Sequence, residues 1–134
     1  MKVVDIKSFL KEAVGEKKEV KLERFEEPFV IEAISETEND RLKKSSTVSR
    51  RAKGGNIIKD MNTDKYSDGL LSRCVVSPDL SNAEIQGFYN TEGDTAATLK
   101  AMLLAGEYTV LTTEVLELNG FGETDGEIID EIKK

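Results

Sequence analysis

A chain of 134 residues has room for one domain with a modest core and not for two independent ones. With 38% hydrophobic and 34% charged residues, a net charge of −7 and no histidine, it has no stretch of the ~20 apolar residues that spans a membrane, and it lacks the commonest general base and metal ligand. The single cysteine, Cys74, excludes an internal disulfide and a cysteine zinc site.

Residues 5–14, DIKSFLKEAV, place Ile6, Phe9, Leu10, Ala13 and Val14 on one face before Gly15, which predicts a short amphipathic helix. It is too short to hold in water alone and is expected to dock on the rest of the domain. Because it follows the first residues directly, no signal peptide is expected and the predicted location is the cytoplasm. Next, Val20 and Leu22 alternate with Lys21 and Glu23, and after the Glu26-Glu27-Pro28 turn Phe29, Ile31 and Ala33 repeat the alternation. This period of two predicts a β-hairpin that needs a helix against its apolar face.

Ser35 and Glu38 make a Ser-x-x-Glu capping box, and acidic residues in that first turn complement the helix dipole. The helix they start is expected to run through Leu42. Residues 43–56, KKSSTVSRRAKGGN, carry one sizeable hydrophobe, Val48, and end in Gly-Gly, the pattern of a mobile basic loop or frayed helix. A further helix beginning at Thr63 or Asp64 turns Tyr66, Leu70, Leu71, Cys74 and Val75 inward, and Pro78 ends it by restricting Ser77. In that apolar run Cys74 reads as a small buried hydrophobe and not as a reactive thiol.

Residues 78–121 string together helix starts and stops. A second box, Ser81 with Glu84, opens one helix; Asp94 or Thr95 caps another, with Ala96, Leu99, Met102 and Leu103 at helical spacing; Gly106 is expected to break it. A last helix from about Glu107 carries Val110, Leu111, Val115 and Leu118 and stops at Asn119-Gly120. The acidic segment after Phe121 holds only Ile128, Ile129 and Ile132 as large apolar residues and is expected to be a frayed appendage. The predicted architecture is α+β and predominantly α: a short N-terminal helix and a two-stranded β-hairpin followed by a bundle of about four short helices. Residues 1–121 form the single globular domain, with 43–56 as its basic loop and 122–134 as an acidic tail.

Nothing in this pattern suits catalysis. Ser-His and Cys-His nucleophile pairs are excluded, and the abundant carboxylates sit in polar helix-surface contexts. The run TDGEIIDE lacks the alternating ligands of a calcium loop, Gly54-Gly55 lacks the Lys-Ser/Thr of a phosphate loop, and Gly120-x-Gly122 follows no strand. No catalytic, cofactor-binding or metal-binding residues are assigned, and the expected protein is an interaction module, not an enzyme. Its charge is uneven: residues 41–59 carry seven basic groups and no acid, whereas 76–134 carry three basic and twelve acidic groups. Those cations could neutralise phosphates, so a small nucleic-acid-binding or regulatory adaptor using residues 41–59 is the alternative function. Nucleic acid is disfavoured because no aromatic residue there can stack on bases and the flanking segments are acidic.

The series PDL, NAEIQ, FY, LKAML, GEYTVL and VLELNGF within 78–121, together with RFEEPFVIEAIS upstream, resembles the tail assembly chaperones of long-tailed phages and PBSX-type prophages, the XkdN-like group. The resemblance attaches to Arg24-Phe25, Pro78-Asp79-Leu80, Gly106-Glu107-Tyr108 and Leu118-Asn119-Gly120, as caps and packing residues more than contacts. It implies a non-enzymatic chaperone that coats the tape measure protein during assembly, helps recruit tail tube protein, and is absent from the mature virion. Self-association is a further kind of contact for such a surface. Tyr66, Phe88, Tyr89, Tyr108 and Phe121 are more aromatics than a small core must hide, and shallow grooves between short helices suit a helical partner. The expected groove is Leu80, Ile85, Phe88, Tyr89, Leu103, Tyr108 and Leu111, with Tyr108→Asp expected to spare the fold and abolish partner binding.

Overall fold

The computed structural model describes residues 5–13 and 15–121. Five α-helices and two small antiparallel sheets make up an α+β fold. The elements are β1 (Lys17–Val20), β2 (Phe29–Glu32), α1 (Glu36–Ser45), β3 (Thr47–Arg51), β4 (Ile57–Met61), α2 (Thr63–Cys74), β5 (Val75–Ser77), α3 (Ala83–Tyr89), α4 (Thr95–Met102) and α5 (Ala105–Leu118).

The predicted hairpin forms, with Val20 opposite Phe29 and Lys18 opposite Ile31. It gains a third strand, because β2 also pairs with β5 (Val30 with Ser77, Ile31 with Val75) to give the order β1-β2-β5. Val75 is therefore a strand residue and not the last inward residue of a helix. Its β-branched pair Val75-Val76 prefers the pleated surface once β2 offers an edge. Gly15, at the entry to β1, lies so close to Ala33 that a Cβ there would come within 2.6 Å of the alanine methyl. Only a residue without a side chain fits that approach.

The core lies between this sheet and the helices. Val20, Phe29, Ile31 and Val75 from the sheet side meet Leu70, Leu71 and Cys74 of α2, Leu99 and Met102 of α4, and Leu111, Val115 and Leu116 of α5. Phe25 supports Phe29 edge-on, with ring centroids 5.1 Å apart. Burial pushes the Cys74 thiol up to about 11, as a thiolate in apolar surroundings demands, although Asn119 donates to its sulfur.

The helix caps follow the sequence closely, with shifts of a residue or two. Ser35 accepts from the Glu38 amide at 3.3 Å and opens α1. Glu38 does not reach back to complete the box; its carboxylate takes the Arg73 guanidinium at 2.6 and 2.8 Å instead. Asn62 caps α2, and Asp94 caps α4 as predicted, accepting from Ala97 at 2.9 Å. At α3 the cap is Asn82, accepting from Glu84 and Ile85, while the Ser81 hydroxyl donates to Asp79. The break before α5 falls at Leu103-Leu104, and Gly106 sits inside the first helical turn.

Two segments differ from expectation. Residues 6–9 form one turn of 3-10 helix, and Ile6, Phe9 and Leu10 are all exposed instead of docked. The stretch 43–56 is not a loop: α1 extends to Ser45, and Thr47–Arg51 pairs in register with Ile57–Met61, Val48 opposite Asp60 and Arg50 opposite Ile58. Gly54 and Gly55, both at positive φ, turn the chain between these strands. The expected acidic tail, 122–134, lies outside the described residues.

Candidate partner-binding surface

Within residues 78–121, α3 packs on α4 while α5 packs on α2 and the β1–β2 strands, and some polar side chains face inward. Gln86 donates to the Leu80 carbonyl at 2.8 Å and accepts from the Gly93 amide at 3.0 Å, closing the loops on both sides of α3. Thr98, fully buried, donates back to Asp94 at 2.7 Å. Gln86 and Thr98 thus bury their polar groups with partners, which offsets the cost of desolvating them.

Against this frame the expected groove divides. Leu80 is buried, and Leu111 has no exposed surface at all. Ile85, Tyr89, Leu103 and Tyr108 are half-buried and pack on the same core. Tyr108 is held further by its hydroxyl, which donates to Asp68 at 2.7 Å, while Lys100 donates to the other oxygen of that carboxylate at 2.9 Å. Burial and then Asp68 raise the phenol pKa, so Tyr108 stays a neutral donor. Six of the seven residues therefore build the core and its margin. Phe88 alone projects, 78% exposed.

Phe88 leads to Tyr89, and Tyr89 lies near a second cluster that the sequence did not announce. The Phe88 ring stands edge-on to Tyr89, with centroids 4.8 Å apart. The Arg24 guanidinium lies 4.8 Å over the Phe25 ring. Arg24 also donates to the Met102 carbonyl at 2.8 Å and forks onto Glu107 at 2.9 and 2.7 Å. The bonded Glu107 raises the pKa of Arg24, with a smaller contribution from the nearby Tyr89 hydroxyl. Glu107 in turn accepts from the Leu104 amide at 2.8 Å and so closes the N-terminus of α5. Arg24 and Glu107, 83 positions apart, are thus one latch that ties the β1–β2 turn to the α4–α5 junction.

Leu104 and Val110 are also exposed, although neither belongs to the expected groove. Their signal was present but faint. The sequence sets Val110 with Leu111, Val115 and Leu118 on the apolar side of the last helix, but Val110 is exposed because it falls outside the 108, 111, 115 rhythm of the buried face, and Leu104 occupies a cap position where helical periodicity does not apply.

A cleft of about 970 Å³ lies elsewhere, among Ser46, Asn62, Lys65, Asp68, Leu80 and Asp94. Its walls are mainly polar, and two of its three cations, Arg73 and Lys100, are already paired with Glu38 and Asp68. No group of three or more metal-binding side chains converges among the described residues, and no helix there is long and apolar enough to cross a membrane.

A family model described as phage XkdN-like tail assembly chaperone protein matches residues 6–133. The chain belongs to the XkdN-like family of phage tail assembly chaperones. Two relatives from Bacillus subtilis (strain 168) are similar to it over 107 residues: the uncharacterized protein YqbN at 26% identity, over 80% of this chain and 71% of YqbN, and the phage-like element PBSX protein XkdN at 25%, over 80% and 72%. The crystal structure of YqbN superposes with a TM-score of 0.75 at 25% identity, covering 90% of this chain and all of that one. The motif pieces that carried the resemblance have structural roles in this chaperone fold: Arg24 and Glu107 form the latch, and Asn119 bonds the Ile34 amide, the Val115 carbonyl and Cys74.

Proposed function

We propose that this chain is a dedicated, non-catalytic chaperone that covers the helical tape measure protein of its phage or prophage in the host cytoplasm and assists addition of tail tube subunits. The observation that carries the reading is Phe88, a large ring left exposed and standing edge-on to Tyr89, in a chain of this family. An exposed aromatic anchor on a short helix suits the apolar stripe of an amphipathic helix.

The probe is Phe88→Asp, co-expressed with the tape measure protein of the same phage or prophage. Capture is expected to fall by more than about tenfold, the loss typical of an aromatic anchor. The thermal transition should stay in place, because Phe88 contributes little to the core. Full-strength capture refutes the aromatic corner as the docking site. A second reading, nucleic-acid binding through residues 41–59, is favoured by the exposure of Arg51, Lys53 and Lys59, which form no ion pair with any described residue. It requires a gel shift that weakens steeply with salt.

A further inference from the structure

The β3–β4 hairpin is the part of the molecule least explained by the rest. Neither strand joins the main sheet, and none of its residues is buried. Val48 and Ile57 are 51% and 68% exposed. Among the described residues each strand pairs only with the other, so each also presents an edge of unpaired backbone donors and acceptors. Two strands alone are marginal in water.

Its charge adds to the difficulty. Arg50 pairs with Asp60 at 3.0 Å, the arm's one acid, which leaves Arg51, Lys53 and Lys59 without a carboxylate among the described residues. In the register observed, Arg51 lies opposite Ile57 and Ser49 opposite Lys59, so Arg51 and Lys59 are diagonal like charges on one face. The arm thus carries both exposed hydrophobes and uncompensated cations. An occupant that satisfies it must be acidic, apolar at alternate positions, and able to run beside a strand edge.

One segment of this chain has that chemistry. Residues 122–134 hold five acids and two lysines, and Glu127-Ile128-Ile129-Asp130-Glu131-Ile132 sets isoleucines and carboxylates on both faces of an extended strand. Its anchor point is close by. Phe121 lines a small depression with Ser35, Glu36 and Asn39, beside the first turn of α1, and the arm leaves the opposite end of that helix after Ser46. A helix of ten residues is roughly 15 Å long, whereas five extended residues reach roughly 17 Å. Residues 122–126 therefore suffice to carry the acidic strand to the base of the arm.

We propose that the β3–β4 arm is an interaction surface whose occupant is the chain's own segment 127–132, added as a third strand and held by Arg51 and Lys59 against Glu127, Asp130 and Glu131. A tail protein that engages the arm competes with this segment, so the arm is covered until a partner displaces it.

Hydrogen–deuterium exchange on the full chain tests this, with amides of α2 and α5 as the internal control for folding. Three variants are compared with the parent: Arg51→Glu with Lys59→Glu; Glu127→Lys with Asp130→Lys and Glu131→Lys; and the two sets combined. Each set alone is expected to speed exchange of the arm amides by about tenfold or more, and the combination to restore protection while the controls stay unchanged. Protection should not depend on protein concentration. Arm amides that are indifferent to reversal at 127–131 overturn the proposal. So does protection that grows with concentration, which would make the occupant a second copy, and so does protection that appears only on adding oligonucleotide.

Discussion

Replacing Asn119 by alanine tests whether the last turn of α5 is held by side-chain chemistry or by packing alone. The side chain accepts from the Ile34 amide at 3.0 Å, donates to the Val115 carbonyl at 2.8 Å, and approaches the Cys74 sulfur at 3.5 Å. One residue thereby joins the C-terminus of α5 to the end of β2 and to α2. Alanine removes both strong bonds and leaves the half-buried Ile34 amide with no partner. A net hydrogen bond contributes about 1 kcal/mol, and an orphaned donor costs about 1–3 kcal/mol, so the variant should lose about 2–3 kcal/mol. In urea denaturation, with a slope of about 1.5–2 kcal/mol/M for a domain of this size, the midpoint should fall by about 1–2 M at unchanged slope. Asn119→Asp keeps the acceptor toward Ile34 but places a carboxylate against the Val115 carbonyl, and should be no milder. A loss under about 0.5 kcal/mol for the alanine variant would refute the reasoning and assign the junction to apolar packing.

Other consequences follow from the same side chains. Tyr108→Phe removes only the bond to Asp68 and should cost about 0.5–1.5 kcal/mol, whereas Tyr108→Asp sets a second carboxylate beside Asp68 in the core margin and should cost well over 2 kcal/mol; denaturation of the pair separates packing from partner contact at this position. The stability should also have an acid limb with a known origin. Arg73 holds the Glu38 carboxyl below its usual range, and Arg24 does the same for Glu107. A group whose pKa is depressed on folding stabilises the fold above its unfolded value, about 4.3, and that stability is lost as pH falls through the lower folded value. Arg73→Gln should therefore flatten the loss of stability between about pH 5 and about pH 3, and an unchanged slope would remove the Glu38 pair as a contributor.

These outcomes also separate two kinds of information. Local chemistry is read from neighbours in the chain. Ser35 and Asp94 cap helices, Asn119-Gly120 ends α5, and the alternation of Val20 with Phe29 and Ile31 makes a hairpin, because each depends on backbone groups within a few residues. The same logic located most of the core, since helical spacing puts Leu70, Leu71, Leu111 and Val115 on inward faces whatever they meet. It failed where a residue's fate depends on a distant partner. Glu38 looks like half of a capping box until Arg73 arrives, and Val75 looks helical until β2 offers an edge.

The seven residues of the expected groove show the limit most plainly. Sequence alone determined that Leu80, Ile85, Phe88, Tyr89, Leu103, Tyr108 and Leu111 are apolar or aromatic and stand on or beside three short helices. Hydrophobicity says that such side chains leave water; it does not say against what. Only the tertiary structure decided that Leu111 is fully buried, that Tyr108 turns its hydroxyl to Asp68, and that Phe88 is left outside. The basic segment divides in the same way. Its seven cations are plain in the chain, but the structure leaves Arg41, Lys43 and Lys44 on α1, and the display of the other four on a two-stranded arm depends on pairing between Thr47–Arg51 and Ile57–Met61, which periodicity barely marks because neither face of that arm is buried.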